Sequence, residues 1–207
     1  MTRVAFIALC ALLLPGCVSV KLPPPQPVME NTVALRDSGI DKASVGSFTL
    51  AAGKNKGIDK SVTARGSPIS VEGEGSFSGF LRQALINDLT AASKYDSSAG
   101  TAIEGELLEN TLSAAGAKNA SAVLAVRFIV KRNGEMRYDK QVRQEAKWES
   151  SFVGAVAIPD AINHFSEQFR LILLRLYRDP EFLKALRPEA ARVATSGDAT
   201  RAAAPAT

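Results

Sequence analysis

The sequence is poor in the residues that most chemistry requires. It has one histidine and two cysteines among 207 residues. A single imidazole excludes a multi-histidine metal centre, and two thiols exclude a disulfide scaffold or a cysteine-rich zinc site. Aromatic residues make up only 6%, and charge of neither sign dominates, with Lys+Arg 25 against Asp+Glu 21. A net charge of +4 spread over this length does not argue for nucleic acid. No apolar run reaches the roughly 20 residues that a membrane-spanning helix needs. What the chain does have is apolar bulk. A hydrophobic fraction of 46% excludes a wholly disordered protein, and the length suits one domain with tails.

The first seventeen residues differ from the rest. Arg3 supplies a positive charge, and Val4 to Leu14 is an uncharged apolar run of the length of a signal-peptide core. Leu14-Pro15-Gly16-Cys17 follows and resembles the bacterial lipobox, with Pro15 departing from the usual small residue. The alternative is an ordinary secretory signal with an incidental cysteine. The lipobox resemblance implies that 1–16 is a signal peptide. It also implies that Cys17 carries diacylglycerol and an N-acyl chain, the only added groups expected. Two or three chains hold a protein on a membrane far more firmly than one, at about 0.8 kcal/mol per buried methylene. Val18, not Asp, follows Cys17. By resemblance to enterobacterial sorting this implies the outer membrane, periplasmic face. Cys10 leaves with the signal, so cysteine chemistry is not expected in the mature protein.

Residues 17–44 read as the lipidated cysteine and a linker, because Pro23-Pro24-Pro25-Gln26-Pro27 favours extended polyproline geometry. Residues 187–207, rich in Ala, Thr and Arg, read as a disordered tail. The domain is expected over 45–186. Its elements come from periodicity. Val45–Ala52 and Pro68–Val71 suit short strands. Phe77–Ala92 suits a helix capped by Ser76, on whose inward face every residue is apolar except Asp88. Ala102–Glu109, Ser121–Lys131 and Glu135–Glu149 suit strands. A helix is expected to start at Pro159, and a short one at Pro180 with Asp179 as cap. This predicts an α+β fold, an antiparallel sheet in β-α-β-β-β-α order with two main helices on one face. For the hairpin at Asn133-Gly134, a two-residue turn would set apolar faces against polar ones. A three-residue loop, Arg132-Asn133-Gly134, avoids this by pairing Val130 with Met136 and Phe128 with Tyr138.

Catalytic candidates are few. His164 lies opposite the Ile162–Phe165–Phe169 stripe and reads as a solvated surface residue. Glu104, Glu106 and Glu109 read as the wet face of a strand, and the glycine-rich stretches as turns. Lys54, Lys56, Lys60 and Arg65 form a basic loop, solvated or near anionic lipid. No catalytic and no metal residue is expected, and the protein is not expected to be an enzyme. Leu171, Leu174 and Trp148 are the candidate partner-binding residues. The two leucines lie off the main helical stripe, where the Asp179–Leu186 segment would otherwise bury them. Trp148 ends the longest strand, where core packing is the alternative.

Taken together, the lipobox, the Pro-rich stretch, the helix Phe80-Leu81-Arg82-Gln83-Ala84-Leu85, the strand Ala102-Ile103-Glu104-Gly105-Glu106-Leu107 and the closing Asp179-Pro180-Glu181-Phe182 resemble small bacterial envelope lipoproteins. The likeness is greatest to YajG-like lipoproteins. It is looser to ABC-transport auxiliary and LptE-type lipoproteins, and to the CsgG and LpoB class. It implies a non-enzymatic protein tethered to the membrane by its lipid, which binds or stabilises an envelope partner. The alternative it implies is a lipid-handling auxiliary of an ABC-type transport system.

Overall fold

The computed structural model describes residues 19–73, 75–114 and 118–188. The expected signal segment, Cys17 and the part of the expected tail from 189 onward lie outside the described residues. In chain order the elements are β1 (Val20–Leu22), α1 (Met29–Arg36), β2 (Ser44–Leu50), β3 (Val62–Ala64), β4 (Ser67–Val71) and α2 (Phe77–Ala91). β5 (Thr101–Ser113), β6 (Asn119–Arg132), β7 (Glu135–Glu149), α3 (Gly154–Tyr177) and α4 (Pro180–Leu186) follow. The fold is α+β. A four-stranded sheet runs β2-β5-β6-β7, a three-stranded sheet runs β1-β4-β3, and the helices pack on the large sheet.

Residues 20–44 are not a spacer. β1 joins the small sheet beside β4, and Leu22, Asn31, Leu35, Ile40 and Ala43 are all buried. The proline run hid this, because it reads as a spacer and the stretch after it shows no sustained apolar periodicity. Pro23–Pro25 is itself extended, but as a strap across the helices. Asn87 Nδ2 donates to the Pro25 carbonyl at 2.6 Å. Glu30 pairs with Arg170 at 2.9 Å and with Arg178 at 2.8 Å, fixing α1 to α3.

The large sheet is mixed. β2 pairs in parallel with β5, because α2 carries the chain across the sheet before β5 begins. α2 starts where expected. Ser76 Oγ accepts from the Gly79 N–H at 3.1 Å, and Asp59 accepts from the Ser78 N–H at 2.7 Å and from its hydroxyl at 2.9 Å. A carboxylate at this end also suits the helix dipole. The two main helices meet through aromatic rings. Phe77 lies 5.4 Å from Phe165 and 5.8 Å from Phe169, and Phe80 lies 5.2 Å from Phe169. Such pairs contribute about 0.5–1.5 kcal/mol each beyond their buried area.

The β6–β7 hairpin corrects the expected loop. Arg132 faces Glu135, so the turn is two residues, with Asn133 and Gly134 at φ of 50° and 84°. Lys131 then faces Met136, but Val130 faces Tyr138. Arg137 is therefore the extra residue of a bulge, which restores the parity that the turn upsets. Beyond it, Val126 faces Val142 and Ala122 faces Ala146. The mismatch foreseen from the pattern is real, but a strand bulge resolves it rather than a longer loop.

α3 begins at Gly154, five residues before Pro159. Proline lacks the N–H that would bond the carbonyl four residues back, that of Ala155. Ala155 is exposed, so water can satisfy that carbonyl. α4 is capped by Asp179, whose carboxylate accepts from the Glu181 N–H at 2.8 Å and from the Tyr138 hydroxyl at 2.9 Å.

Candidate functional site

Two concave regions flank α3. The first lies under the proline strap, between α1, α2 and α3, with a volume of about 390 Å³. Its walls are largely apolar: Pro23–Pro25, Val28, Phe80, Ala84, Ile162, Phe169 and Leu173. Asn31, Asp88, Asn163, Ser166 and Arg170 supply its polar groups. An apolar hollow of this size with a few polar groups is the usual form of a small-ligand site.

Asp88 is the unusual member. It sits on the inward face of α2 and is 3% exposed. Oδ2 accepts from Asn31 Nδ2 at 2.8 Å and from the Tyr177 hydroxyl at 3.0 Å, and the Val28 backbone also donates to the carboxylate. Burial holds its pKa above the ordinary aspartate value despite these donors. Burial, followed by the carboxylate beside it, pushes the Tyr177 hydroxyl well above the usual tyrosine value. Asn31 Oδ1 is buried and has no donor among the described residues. A buried acceptor left so costs about 1–3 kcal/mol, so a ligand that donates to it would recover that cost. Sequence pattern found none of this as a site. Its one signal was Asp88 as the polar exception on an apolar face.

The second region is a groove of about 700 Å³ between α3 and the outer edge of β7. Leu171, Leu174, Val142, Gln141, Gln144, Arg143, Arg175, Arg178 and Asp179 line it. The two candidate leucines thus come together, though Leu174 is buried and only Leu171 is half-exposed. They face β7 rather than lying under α4 alone. Among the described residues β7 pairs only with β6, on its inner side, and its other edge has no strand partner. Arg175 Nη1 reaches over to the Arg143 carbonyl on that edge at 2.6 Å.

Trp148 is elsewhere. Its ring stacks on His164 at 4.4 Å and 25°, and its indole nitrogen is buried without an acceptor among the described residues. His164 is therefore half-buried against an aromatic face, not a freely solvated residue. The three glutamates of β5 lie in ion pairs on the outer face of the sheet. Glu104 meets Lys131 at 2.7 Å, Glu106 meets Arg127 at 2.9 Å, and Glu109 meets Arg143 at 3.2 Å. Two members of the basic loop make backbone contacts, Lys60 to the Gly75 carbonyl and Arg65 to those of Ser151 and Phe152, while Lys54 and Lys56 are exposed. Among the described residues no group of three His, Cys, Asp or Glu could hold a metal ion, and no helix is long and apolar enough to cross a membrane.

No family model matches the chain, and no curated protein is similar to it in sequence. Solved structures with a related course of chain exist at low identity. The chain is similar to protein XCC0632 from Xanthomonas campestris, of the family DUF330, at 10% identity and a TM-score of 0.49, covering 77% of this chain and 91% of that one. It is similar to a protein from Caulobacter crescentus provisionally described as a lipoprotein, at 11% and 0.43, covering 76% and 98%. A third is the hypothetical protein CT253 from Chlamydia trachomatis, at 11% and 0.40, covering 67% and 96%.

Proposed function

We propose that the chain is a non-enzymatic outer-membrane lipoprotein, held by lipid on Cys17, whose periplasmic domain binds or stabilises an envelope partner through the β7–α3 groove. The observation that carries this reading is the coincidence of an open strand edge with two adjacent leucines. An edge offers backbone hydrogen bonds, and a groove beside it offers side-chain specificity, which is how strand addition recognises peptides. Tethering raises the effective concentration of such a contact without demanding high intrinsic affinity.

A second reading, a lipid-handling auxiliary of a transport system, is favoured by the strapped hollow and its unpartnered Asn31 acceptor. It fits an amphiphile with an apolar body and a hydrogen-bond donor.

Photo-crosslinking separates the two. A photoreactive residue at Leu171 is expected to capture an envelope protein reproducibly, while one at exposed Met136 captures none. A residue at Ile162 that instead captures lipid moves the function to the strapped hollow. Adducts at neither position refute both. Metabolic palmitate labelling tests the anchor itself: label must appear in the parent and vanish in Cys17→Ser.

A further inference from the structure

Three apolar side chains stand in solvent where β7 turns into α3. Phe152, Val153 and Val156 are 81%, 57% and 58% exposed. The Val156 N–H donates to the Val153 carbonyl at 3.0 Å, so the first turn of α3 brings Val156 back beside the pair that precedes the helix. Single exposed apolar residues are ordinary, whereas three together mark a contact surface. The backbone beneath them is held in place. Arg65 donates to the Phe152 carbonyl at 3.0 Å and to the Ser151 carbonyl at 2.5 Å, and the Val153 N–H donates to Ser151 Oγ at 3.1 Å.

Arg65 ties this patch to the start of the fold. It sits in the tight Arg65-Gly66 turn between β3 and β4, at φ of 48° and 84°. β1 runs parallel to β4, with Val20 beside Ile69. The first described residue, Ser19, directly precedes Val20 and so lies within a few residues' length of that turn. Cys17 is only two residues before Ser19, a reach of about 7 Å at full extension. A lipid on Cys17 cannot lie far from the turn that grips Phe152. Lys118, whose carbonyl accepts from the Ser150 N–H at 3.1 Å, is exposed beside the patch and suits anionic headgroups; Glu149, also exposed, opposes it.

We infer that Phe152, Val153 and Val156 insert into the bilayer surface beside the Cys17 lipid, fixing the domain on the membrane in one orientation with the Asn133-Gly134 hairpin pointing away. This rests on lipidation of Cys17. A lipid surface is the occupant because the anchored end of the chain emerges next to the patch. The three residues act as an interfacial wedge that adds to the acyl chains.

The test uses the full chain, purified with its lipid and reconstituted into vesicles of phosphatidylethanolamine and phosphatidylglycerol. Single variants Phe152→Cys, Val156→Cys and Met136→Cys receive a fluorescent thiol label, and spin-labelled lipids serve as quencher. Met136 is exposed and lies near the far end of β7, about 40 Å away along the strand. Labels at 152 and 156 are expected to lose most of their fluorescence, and the label at 136 to lose almost none. Vesicle-bound protein with no quenching at 152 or 156 overturns the wedge and leaves the anchor intact, as does quenching that is equal at all three positions. A dimer that shields 152 from the lipid quencher also overturns it, since the patch then meets a second copy. A parent chain that takes up the thiol label on Cys17 and fails to float with vesicles overturns the anchor and the wedge together.

Discussion

Replacing Tyr177 by phenylalanine keeps the buried ring and deletes only the hydroxyl that donates to Asp88 at 3.0 Å. The acceptor is a carboxylate that is 3% exposed, so the bond is charge-assisted and its loss leaves a buried charge short of one donor. Hydrogen bonds to charged groups contribute about 1.5–3 kcal/mol, and neutral ones about 1 kcal/mol. Tyr177→Phe is therefore expected to cost most, about 1.5–3 kcal/mol, at alkaline pH, where the ionised form of Asp88 is most populated. The same change in an Asp88→Asn background is expected to cost about 1 kcal/mol at every pH, since the acceptor is then neutral.

The pH dependence has a defined sign. Burial raises the Asp88 pKa above its ordinary 3.8, so the folded protein binds this proton more tightly than the unfolded chain. The stability that this proton supplies is complete below pH 3.8 and is lost as the pH climbs through the folded value. Relative to Asp88→Asn, the parent must gain stability as the pH falls toward 4. Taking the difference between the two removes the opposite trends of Asp96, Asp139 and Glu145, whose carboxyls are held low by their hydrogen-bond partners. The assay is urea unfolding of the signal-free chain carrying Cys17→Ser, at several pH values, followed by far-ultraviolet circular dichroism. Equal cost of Tyr177→Phe in both backgrounds, or a parent that loses stability relative to Asp88→Asn on acidification, would refute the buried-charge reasoning.

Two further changes probe the sheet. A Cβ on Gly105 would overlap the Phe48 ring, which crosses that strand to meet Phe128 at 6.2 Å. Gly105→Ala is thus expected to destabilise by about 1–3 kcal/mol, while Gly154→Ala, which meets open space at the start of α3, leaves the melting temperature level or raised. Asn133 holds φ at 50° in the hairpin turn, so Asn133→Ala is expected to cost about 1 kcal/mol and Asn133→Gly far less; equal costs would show that the turn geometry is not what Asn133 supplies.

Strong periodicity was legible in the chain. The α2 boundary, the span of β7 and the Asp179 cap all follow from apolar spacing and cap chemistry, and all stand in the structure. Three features were not legible, for separate reasons. The α1 strap buries Asn31 and Leu35 by tertiary contact with α2 and α3, and its own sequence, Met-Glu-Asn-Thr-Val-Ala-Leu-Arg, has no sustained apolar face. The parallel pairing of β2 depends on where the crossover lands, which no local pattern encodes. The Arg137 bulge changes parity within a strand, and alternation alone cannot separate it from a longer turn. At the candidate site, the two leucines were visible as residues off the helical stripe, but the β7 edge that they face was not. Asp88 was visible only as an exception, because its meaning depends on Asn31 and Tyr177, 57 and 89 residues away in sequence.

The β7 edge, unpaired among the described residues, bears on how a domain tethered as proposed would avoid pairing with a second copy. A 15-residue edge strand is an invitation to pair with another copy, and confinement to a surface raises the frequency of such encounters. The strand carries its own deterrents. Arg137, Asp139, Arg143, Glu145 and Lys147 alternate along its outer face, and the bulge at Arg137 twists the end nearest the hairpin. In the middle, where Leu171 and Leu174 would reward a docked strand, Arg175 occupies the Arg143 carbonyl. Any partner that adds a strand there must displace this guanidinium and supply a donor in its place. A second copy of β7 could do so only by setting its own charged ladder beside the first. A partner with apolar residues spaced to meet the leucines has more to gain from the same displacement. On this reasoning Arg175 does not block the groove but sets a threshold for it, one that favours a specific peptide over self-association.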